Sequence, residues 1–362
     1  MALCAVAMLT FSACHKDEVE PTPSGNQNNP VTPTPPAQED PLPVEVDRAG
    51  QYAPGRKMVS ISIDGALSET WHWNNGGQLE YVTDSLGQEK VRFTYRDDGR
   101  LNTMTVNANE ALNGTVTLSY SGEKVNQITL DGVNDISAQV NSNTRNKVTS
   151  AVVDMSGMDN STVVAMLNGV LSRFVGDSVS TDFISAIDSV KGSISFTWTG
   201  SNVSVCKTVI GARVKTTVGQ LATLLNNDFS MFGTLGYILQ GLANSAPNTA
   251  IYISVTLTDE GEYEYDAYTN PFRHYLGDML TIENDIPQFN VSALSANNVK
   301  AEGHTGIANV RVYSSLSASY SYTDNYNLYG TGMSYTYTYR TDKYPSSVTN
   351  SEGQVTTYTY QQ

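Results

Sequence analysis

Over residues 69–106 apolar positions alternate with polar ones in short segments, and each segment ends in residues that favour turns. Trp71 and Trp73 share one parity, as do Leu79 and Tyr81, and then Val91, Phe93 and Tyr95. A period of two gives each segment one apolar face, as in a half-buried strand. The intervening Asn74-Asn75-Gly76-Gly77, Asp84-Ser85-Leu86-Gly87 and Asp97-Asp98-Gly99 accept positive φ or bond their own backbone. The pattern predicts a ladder of antiparallel strands. It starts with a strand over 58–63 that turns at Asp64-Gly65, and it continues over 114–120, 124–130 and 146–155. Turn signals about every 8 to 12 residues predict an antiparallel sheet, sandwich or barrel, and argue against a parallel α/β fold.

The period then changes. Val163, Val164, Met166, Leu167, Val170, Leu171 and Phe174 recur at three and four, with Asp159, Asn160 and Ser161 offering N-cap oxygens, which predicts a helix over 158–174. Phe183, Ile184, Ile187 and Val190 predict a second over 181–190. A hairpin follows, with strands over 194–198 and 203–209 about Gly200-Ser201-Asn202. Thr217 and Gln220 stand at capping-box spacing before a helix over 217–226. A last helix, over 231–244, is weakened by Gly233, Gly236 and Gly241. The helical insertion at about 158–245 lies inside the β ladder, so its apolar faces are expected to cover one face or open end of the sheet within a single domain, 55–362.

Strands resume over 250–257 and 262–268 around an expected turn at Asp259-Glu260-Gly261, and Asn270-Pro271 stops pairing. An irregular stretch runs to 298. Closing strands are predicted over 306–322, 333–340 and 354–360. Tyr335, Tyr337 and Tyr339 share one strand face and alternate with hydroxyl residues.

Composition narrows the class. A chain of 362 residues, 40% hydrophobic and 16% charged, is long enough for a sizeable core and too polar for a bundle of membrane helices. Its 21 Lys and Arg against 36 Asp and Glu leave a formal charge of −15, which repels phosphate backbones, so no nucleic-acid partner is expected. Residues 14–54 are rich in Pro, Thr, Asn, Gln, Glu and Asp, and bury too little to offset chain entropy. They read as a tether.

Before that tether, residues 1–13 form an apolar run of signal-peptide length ending in Phe11-Ser12-Ala13, followed by Cys14. This resembles the lipobox of bacterial lipoproteins, which implies cleavage before Cys14 and lipidation of its thiol. The missing basic residues ahead of the run point to a natural start upstream of Met1. Lys16, Asp17 and Glu18 follow closely and resemble the surface-export signal of lipoproteins in the phylum Bacteroidota; a solvated charge run is the plainer reading. A lipidated Cys14 would hold the chain to a membrane, since each buried methylene contributes roughly 0.8 kcal/mol. Processing then leaves Cys206 without an intrachain disulfide partner.

FTYRDDGRLNTMTV resembles the tyrosine-aspartate hairpin repeats of large bacterial surface proteins. Together with YEYDAYTNPF at 263–272 and the tyrosine-rich ending, it resembles a Bacteroidota lipoprotein family described as a domain of unknown function with a porin-like fold. The resemblance covers most of the chain from about residue 57. It implies a mainly β (α+β) fold, a strongly curved antiparallel sheet or incomplete β-barrel with a few inserted helices, and no assigned activity. A bilayer-spanning strand needs about 9–11 residues with an apolar lipid-facing row. Most predicted strands are shorter and their outward rows are polar, so a soluble, tethered body is expected.

Candidate chemistry is sparse. There is no nucleophile elbow, H-E-x-x-H helix or phosphate-binding glycine loop, and no cofactor is expected. Glu262, Glu264 and Asp266 share a strand face and are a weak metal candidate; a solvated acidic face on an edge strand explains them more simply. The aromatic rows are the better candidates: Trp71, Trp73, Tyr320, Tyr322, Tyr335, Tyr337 and Tyr339 could stack on sugar faces while hydroxyls bond the sugar. Cross-strand packing is the simpler account of the same rows. Ser85, Ser178 and Ser189 lie in Asp-Ser-aliphatic triplets that resemble an O-glycosylation acceptor, and each also fits a turn or helix start.

These features favour a non-enzymatic lipoprotein of the outer membrane, facing the cell surface, that binds a glycan or another envelope or extracellular ligand. The alternatives are a structural or assembly component binding an envelope protein through a sheet edge, and a glycoside hydrolase using a carboxylate pair.

Overall fold

The computed structural model describes residues 50–107, 113–132, 135–157, 186–277, 280–283, 286–314 and 317–361. The signal peptide, Cys14, the export signal, the expected tether up to residue 49, Ser178 and the helix expected over 158–174 lie outside them; residues 50–54, expected as tether, are described, and Tyr52 among them is buried against Trp71 and Tyr275. Among the described residues eighteen strands follow in chain order. The first nine are β1 (Met58–Ile63), β2 (Ala66–Trp73), β3 (Leu79–Asp84), β4 (Glu89–Tyr95), β5 (Leu101–Asn107), β6 (Asn113–Ser121), β7 (Lys124–Gly132), β8 (Asp135–Ser142) and β9 (Val148–Gly157). The remainder are β10 (Ala186–Thr199), β11 (Asn202–Thr217), β12 (Ala250–Thr269), β13 (Leu280–Glu283), β14 (Ile286–Phe289), β15 (Asn297–Ser314), β16 (Ser317–Tyr339), β17 (Pro345–Asn350) and β18 (Val355–Tyr360).

Sixteen of these strands pair antiparallel, and β1 pairs with β18 through Ile61↔Tyr358 and Ile63↔Thr356. The sheet is therefore a closed barrel, which corrects the expected incomplete one. Strands β13 and β14 form a separate two-stranded sheet. Closure also removes the edge on which the acidic face of β12 was expected to lie: β12 is paired on both sides, with β11 and β15.

Register is set by a repeated turn. In six described hairpins a residue donates its N–H to the carbonyl four positions on, and its own carbonyl accepts from the third: Asn74, Asp84, Arg96, Asn143, Arg340 and Asn350. The fourth residue of each turn is left-handed: Gly77, Gly87, Gly99, Asn146, Lys343 and Gly353. This is a type I turn closed by a bulge. Four of the six start with Asn or Asp, whose side-chain oxygen also accepts the N–H of Gln78, Gln88, Lys147 or Gln354.

Inner and outer rows differ sharply in chemistry. Along β12, Ile251, Ile253, Val255 and Leu257 are buried while Tyr252, Ser254, Thr256 and Thr258 on the other parity are half-buried. Their cross-strand partners Val312, Val310 and Ala308 are buried too. On the outer rows of β11 and β15 stand Lys207, Arg213, Lys215, Lys300 and Arg311, all exposed. Each fully buried Val, Leu or Ile contributes about 1.5–3 kcal/mol, so the barrel is held from its inside.

The barrel is uneven in height. Strands β1 to β4, β17 and β18 have six to eight residues, whereas β10, β11, β12, β15 and β16 have 14, 16, 20, 18 and 23. The long strands exceed the length expected from sequence; the polar outer row stands.

Different elements pack at the two ends. Between β11 and β12 lie helices α1 (Val218–Leu224) and α2 (Thr234–Ser245), with a 3₁₀ turn over Ser230–Phe232. The capping box is present: Gln220 N donates to Thr217 Oγ1 at 3.2 Å, and Thr217 N to Gln220 Oε1 at 3.0 Å. Val218, Leu221, Phe229, Phe232, Leu235 and Leu239 are buried, and the Phe232 ring meets Tyr322 of β16 edge-on at 5.2 Å. Gly236, expected to weaken α2, is required by packing, because a Cβ there would lie 2.2 Å from the Phe229 carbonyl oxygen. At the opposite end the β12–β15 connection turns back against β2. Tyr275 packs on Trp71 at 4.5 Å, Phe272 on Trp71 at 6.1 Å, and Tyr52 Oη donates to the Pro271 carbonyl at 3.0 Å.

Three local expectations fail for identifiable reasons. Residues 186–190 are strand, not helix, because Ile187 and Val190 pair with Val214 and Ala212 of β11, and pairing along a long neighbour overrides a short helical period. Residues 259–261 do not turn: β12 runs straight through them. The strand expected over 306–322 belongs to two strands, β15 ending at Ser314 and β16 starting at Ser317.

Candidate functional site

A cavity of about 420 Å³ lies against β1, β2, β15, β16 and β18 and the β12–β15 connection. Its aromatic lining comes from Tyr263 of β12, Tyr335 and Tyr337 of β16, Tyr358 of β18, and Phe272 and Tyr275. Glu69, Glu302 and His304 supply its charged groups. The size falls within the roughly 300–1,000 Å³ typical of small-molecule sites.

Parity places these groups. Tyr335 and Tyr337 share the inward row of β16, and Tyr337 Oη donates to the Val299 carbonyl at 2.9 Å. Tyr335 Oη donates to Glu302 Oε1. Burial pushes the hydroxyls of Tyr337 and Tyr358 well above the ordinary tyrosine value, so both stay neutral donors. On β15, Glu302 and His304 continue the inward row of Ala308, Val310 and Val312.

A buried polar network runs from the cavity wall inward. His304 Nδ1 is 3.2 Å from each carboxylate oxygen of Asp259, and Tyr329 Oη donates to Asp259 Oδ1 at 2.8 Å. His304 Nε2 is 3.3 Å from Tyr263 Oη and 3.9 Å from Glu302 Oε2. Burial works against the imidazolium, but the bonds and charges of Asp259 and Glu302 outweigh it and raise His304 to about 9. Two glycines make room. A Cβ on Gly261 would lie 2.5 Å from Tyr263 Oη and 2.7 Å from His304 Cε1, and one on Gly306 would lie 2.3 Å from the Tyr329 ring. Gly261 thus serves close approach of side chains inside a strand.

Glu69 is engaged more fully. Its two oxygens accept from Lys90 Nζ and, at 3.2 Å, from Trp71 Nε1. A second hollow of about 1,030 Å³ adjoins the first through Asn270 and includes Arg100, Arg273, His274, Asp98 and Glu123 in its lining.

Of the aromatic residues singled out from sequence, Tyr335 and Tyr337 line the cavity. Trp71 is buried under Tyr275 and Phe272, and Trp73 donates to the Met58 carbonyl at 2.6 Å while stacking on Tyr52 at 5.9 Å. Tyr322 packs under the helical end, with its hydroxyl on Asp324 at 3.1 Å. Tyr339 donates to Asp266 and stacks on Tyr268 at 4.0 Å. Tyr320 falls within β16, but its side chain lies outside the described residues. Asp266 also accepts from Asn298 Nδ2 at 3.2 Å, while Glu262 and Glu264 are exposed. Among the described residues no three His, Cys, Asp or Glu side chains gather into a metal-binding group. Ser85 sits in the β3–β4 turn and Ser189 within β10.

Sequence reasoning missed Asp259, Glu302 and His304. The signal was present: Glu302 and His304 share the parity of Gly306, Ala308 and Val310, and starting that strand at 306 left them outside it.

No family model matches the chain, and no curated protein matches it. Among solved structures it is similar to a porin-like protein from Bacteroides uniformis, at 10% identity and a TM-score of 0.27, covering 87% of this chain and all of that one. So distant a likeness transfers neither site nor activity, and the barrel stands on its own strand pairing.

Proposed function

We propose that the chain is a non-enzymatic binding protein whose barrel holds a small glycan, of one or two sugar units, in the cavity lined by Tyr335, Tyr337 and Tyr358. The combination of flat rings and hydrogen-bonding groups in that cavity carries the reading. Rings stack on the apolar faces of a sugar, while the Glu302 carboxylate accepts from its hydroxyls. The barrel body is soluble, because charged outer rows would be costly against hydrocarbon. Cys14, lipidated, tethers it to the outer membrane, and Lys16-Asp17-Glu18 direct it to the cell surface.

A screen of the purified full-length chain against mono- and disaccharides tests the site. Binding that falls at least tenfold in Tyr337→Ala is expected; a blank screen overturns the glycan reading. Palmitate labelling in cells, lost in Cys14→Ala, tests the anchor. An enzymatic reading has one observation in its favour, since Glu69, Glu302 and His304 line the same cavity. Against it, both oxygens of Glu69 are already bonded. Turnover of a bound disaccharide would decide for hydrolysis.

A further inference from the structure

Given the sugar-binding reading above, we propose that the cavity selects a sugar carrying a positive charge, an amino sugar, and rejects one carrying a carboxylate. The balance of charged side chains around it sets this preference. Among the described residues no lysine or arginine lines the cavity. Glu69 is matched by Lys90. Asp259 and Glu302 both face His304. Two carboxylates against one imidazole leave one negative charge when His304 is protonated and two when it is neutral. The sign therefore does not depend on how His304 titrates. The lining tyrosines add no negative charge, since burial keeps Tyr337 and Tyr358 protonated.

Geometry singles out one atom. Glu302 Oε1 is taken by Tyr335, whereas Oε2 has only the longer ion-pair contact with His304 Nε2, at 3.9 Å. The Glu302 side chain keeps 25% of its surface exposed and lines the cavity. An ammonium group on a bound sugar would donate to that oxygen while lying beside the rings of Tyr335 and Tyr337, both favourable away from bulk water. A sugar carboxylate in the same place would meet a like charge in a poorly screened site.

Calorimetric titration of the full-length chain with D-glucose, D-glucosamine and D-glucuronate, at a mildly acidic pH where the amine is charged and the acid ionised, tests the proposal. Glucosamine should bind about tenfold tighter than glucose, or about 1.4 kcal/mol, and glucuronate weakest of the three. Glu302→Gln should shrink the ratio of glucosamine to glucuronate affinity by tenfold or more. Equal affinities, or glucuronate binding tightest, would overturn charge selection while sugar binding stands. Saturation by none of the three would overturn the sugar reading itself. A Glu302→Gln protein that keeps the full ordering would overturn the assignment to Glu302, and the wild-type ordering decides the selection without any variant.

Discussion

The Nδ1 atom of His304 lies 3.2 Å from both carboxylate oxygens of Asp259, a buried pair joining β12 to β15 beside the cavity. Because His304 is raised from 6.5 to about 9, folding favours its protonated form. The stabilisation is fully present below about pH 6.5 and is lost as pH rises through about 9. At 1.36 kcal/mol per unit the pair contributes up to roughly 3 kcal/mol. Urea unfolding midpoints should therefore fall between about pH 6.5 and pH 10, with the fall flattened in His304→Gln. Equal slopes in the two proteins would contradict the pairing.

Gly261 and Gly306 hold the same network from the backbone side. Gly261→Ala places a methyl 2.5 Å from Tyr263 Oη, and Gly306→Ala places one 2.3 Å from the Tyr329 ring. Overpacking of this kind costs about 1–3 kcal/mol. Each variant should lower the urea midpoint, and each should move the His304 ring resonances in NMR spectra. Gly65→Ala controls for backbone strain: its φ is 81° but nothing lies within 4 Å of the added methyl, so it should destabilise without touching those resonances.

How much of this was legible in the sequence depends on how local the cause is. The strand over Met58–Ile63, the turns at Gly77, Gly87 and Gly99, and the Thr217–Gln220 box depend on neighbours within five residues, and the chain spells them out. The closure of β1 on β18 joins residues nearly 300 positions apart, and no local pattern announces it. The 259–261 segment misleads because Asp-Glu-Gly carries turn chemistry. Its acid and glycine are there for His304 and Tyr263, which arrive from across the strand pair and from two residues on. The cavity was half visible: a tyrosine row is plain in sequence, but which rings reach open space and which are covered by Phe272, Tyr275 or Tyr268 is set by tertiary packing.

Lys343 takes the left-handed position of the β16–β17 turn with φ 68°, where Gly77, Gly87, Gly99 and Gly353 stand in the equivalent turns. A side chain there costs roughly 1–2 kcal/mol, partly offset by the entropy that glycine adds to the unfolded chain. Lys343→Gly should stabilise the protein by about 0.5–1 kcal/mol in urea unfolding. The substitution leaves the 3.1 Å bond from residue 343 N to the Arg340 carbonyl intact. A loss of stability would mean the turn draws something from the lysine side chain.

Closure itself can be tested by a covalent bridge. Ser60 of β1 and Thr359 of β18 are direct cross-strand partners. Opposed residues in an antiparallel pair stand about 4.5–5.5 Å apart at Cα, within the roughly 4.4–6.8 Å that disulfides span. Ser60→Cys with Thr359→Cys should therefore oxidise readily, and peptide mapping should identify the 60–359 bridge apart from any product of Cys4, Cys14 or Cys206. An open sheet would leave these ends free to separate, and the bridge would form slowly or with the wrong partners. It should also raise stability by about 2–4 kcal/mol, the typical range for disulfides. Bridge formation without that gain would show that β1 and β18 meet only in passing, and the cavity beside them would then lack a fixed wall.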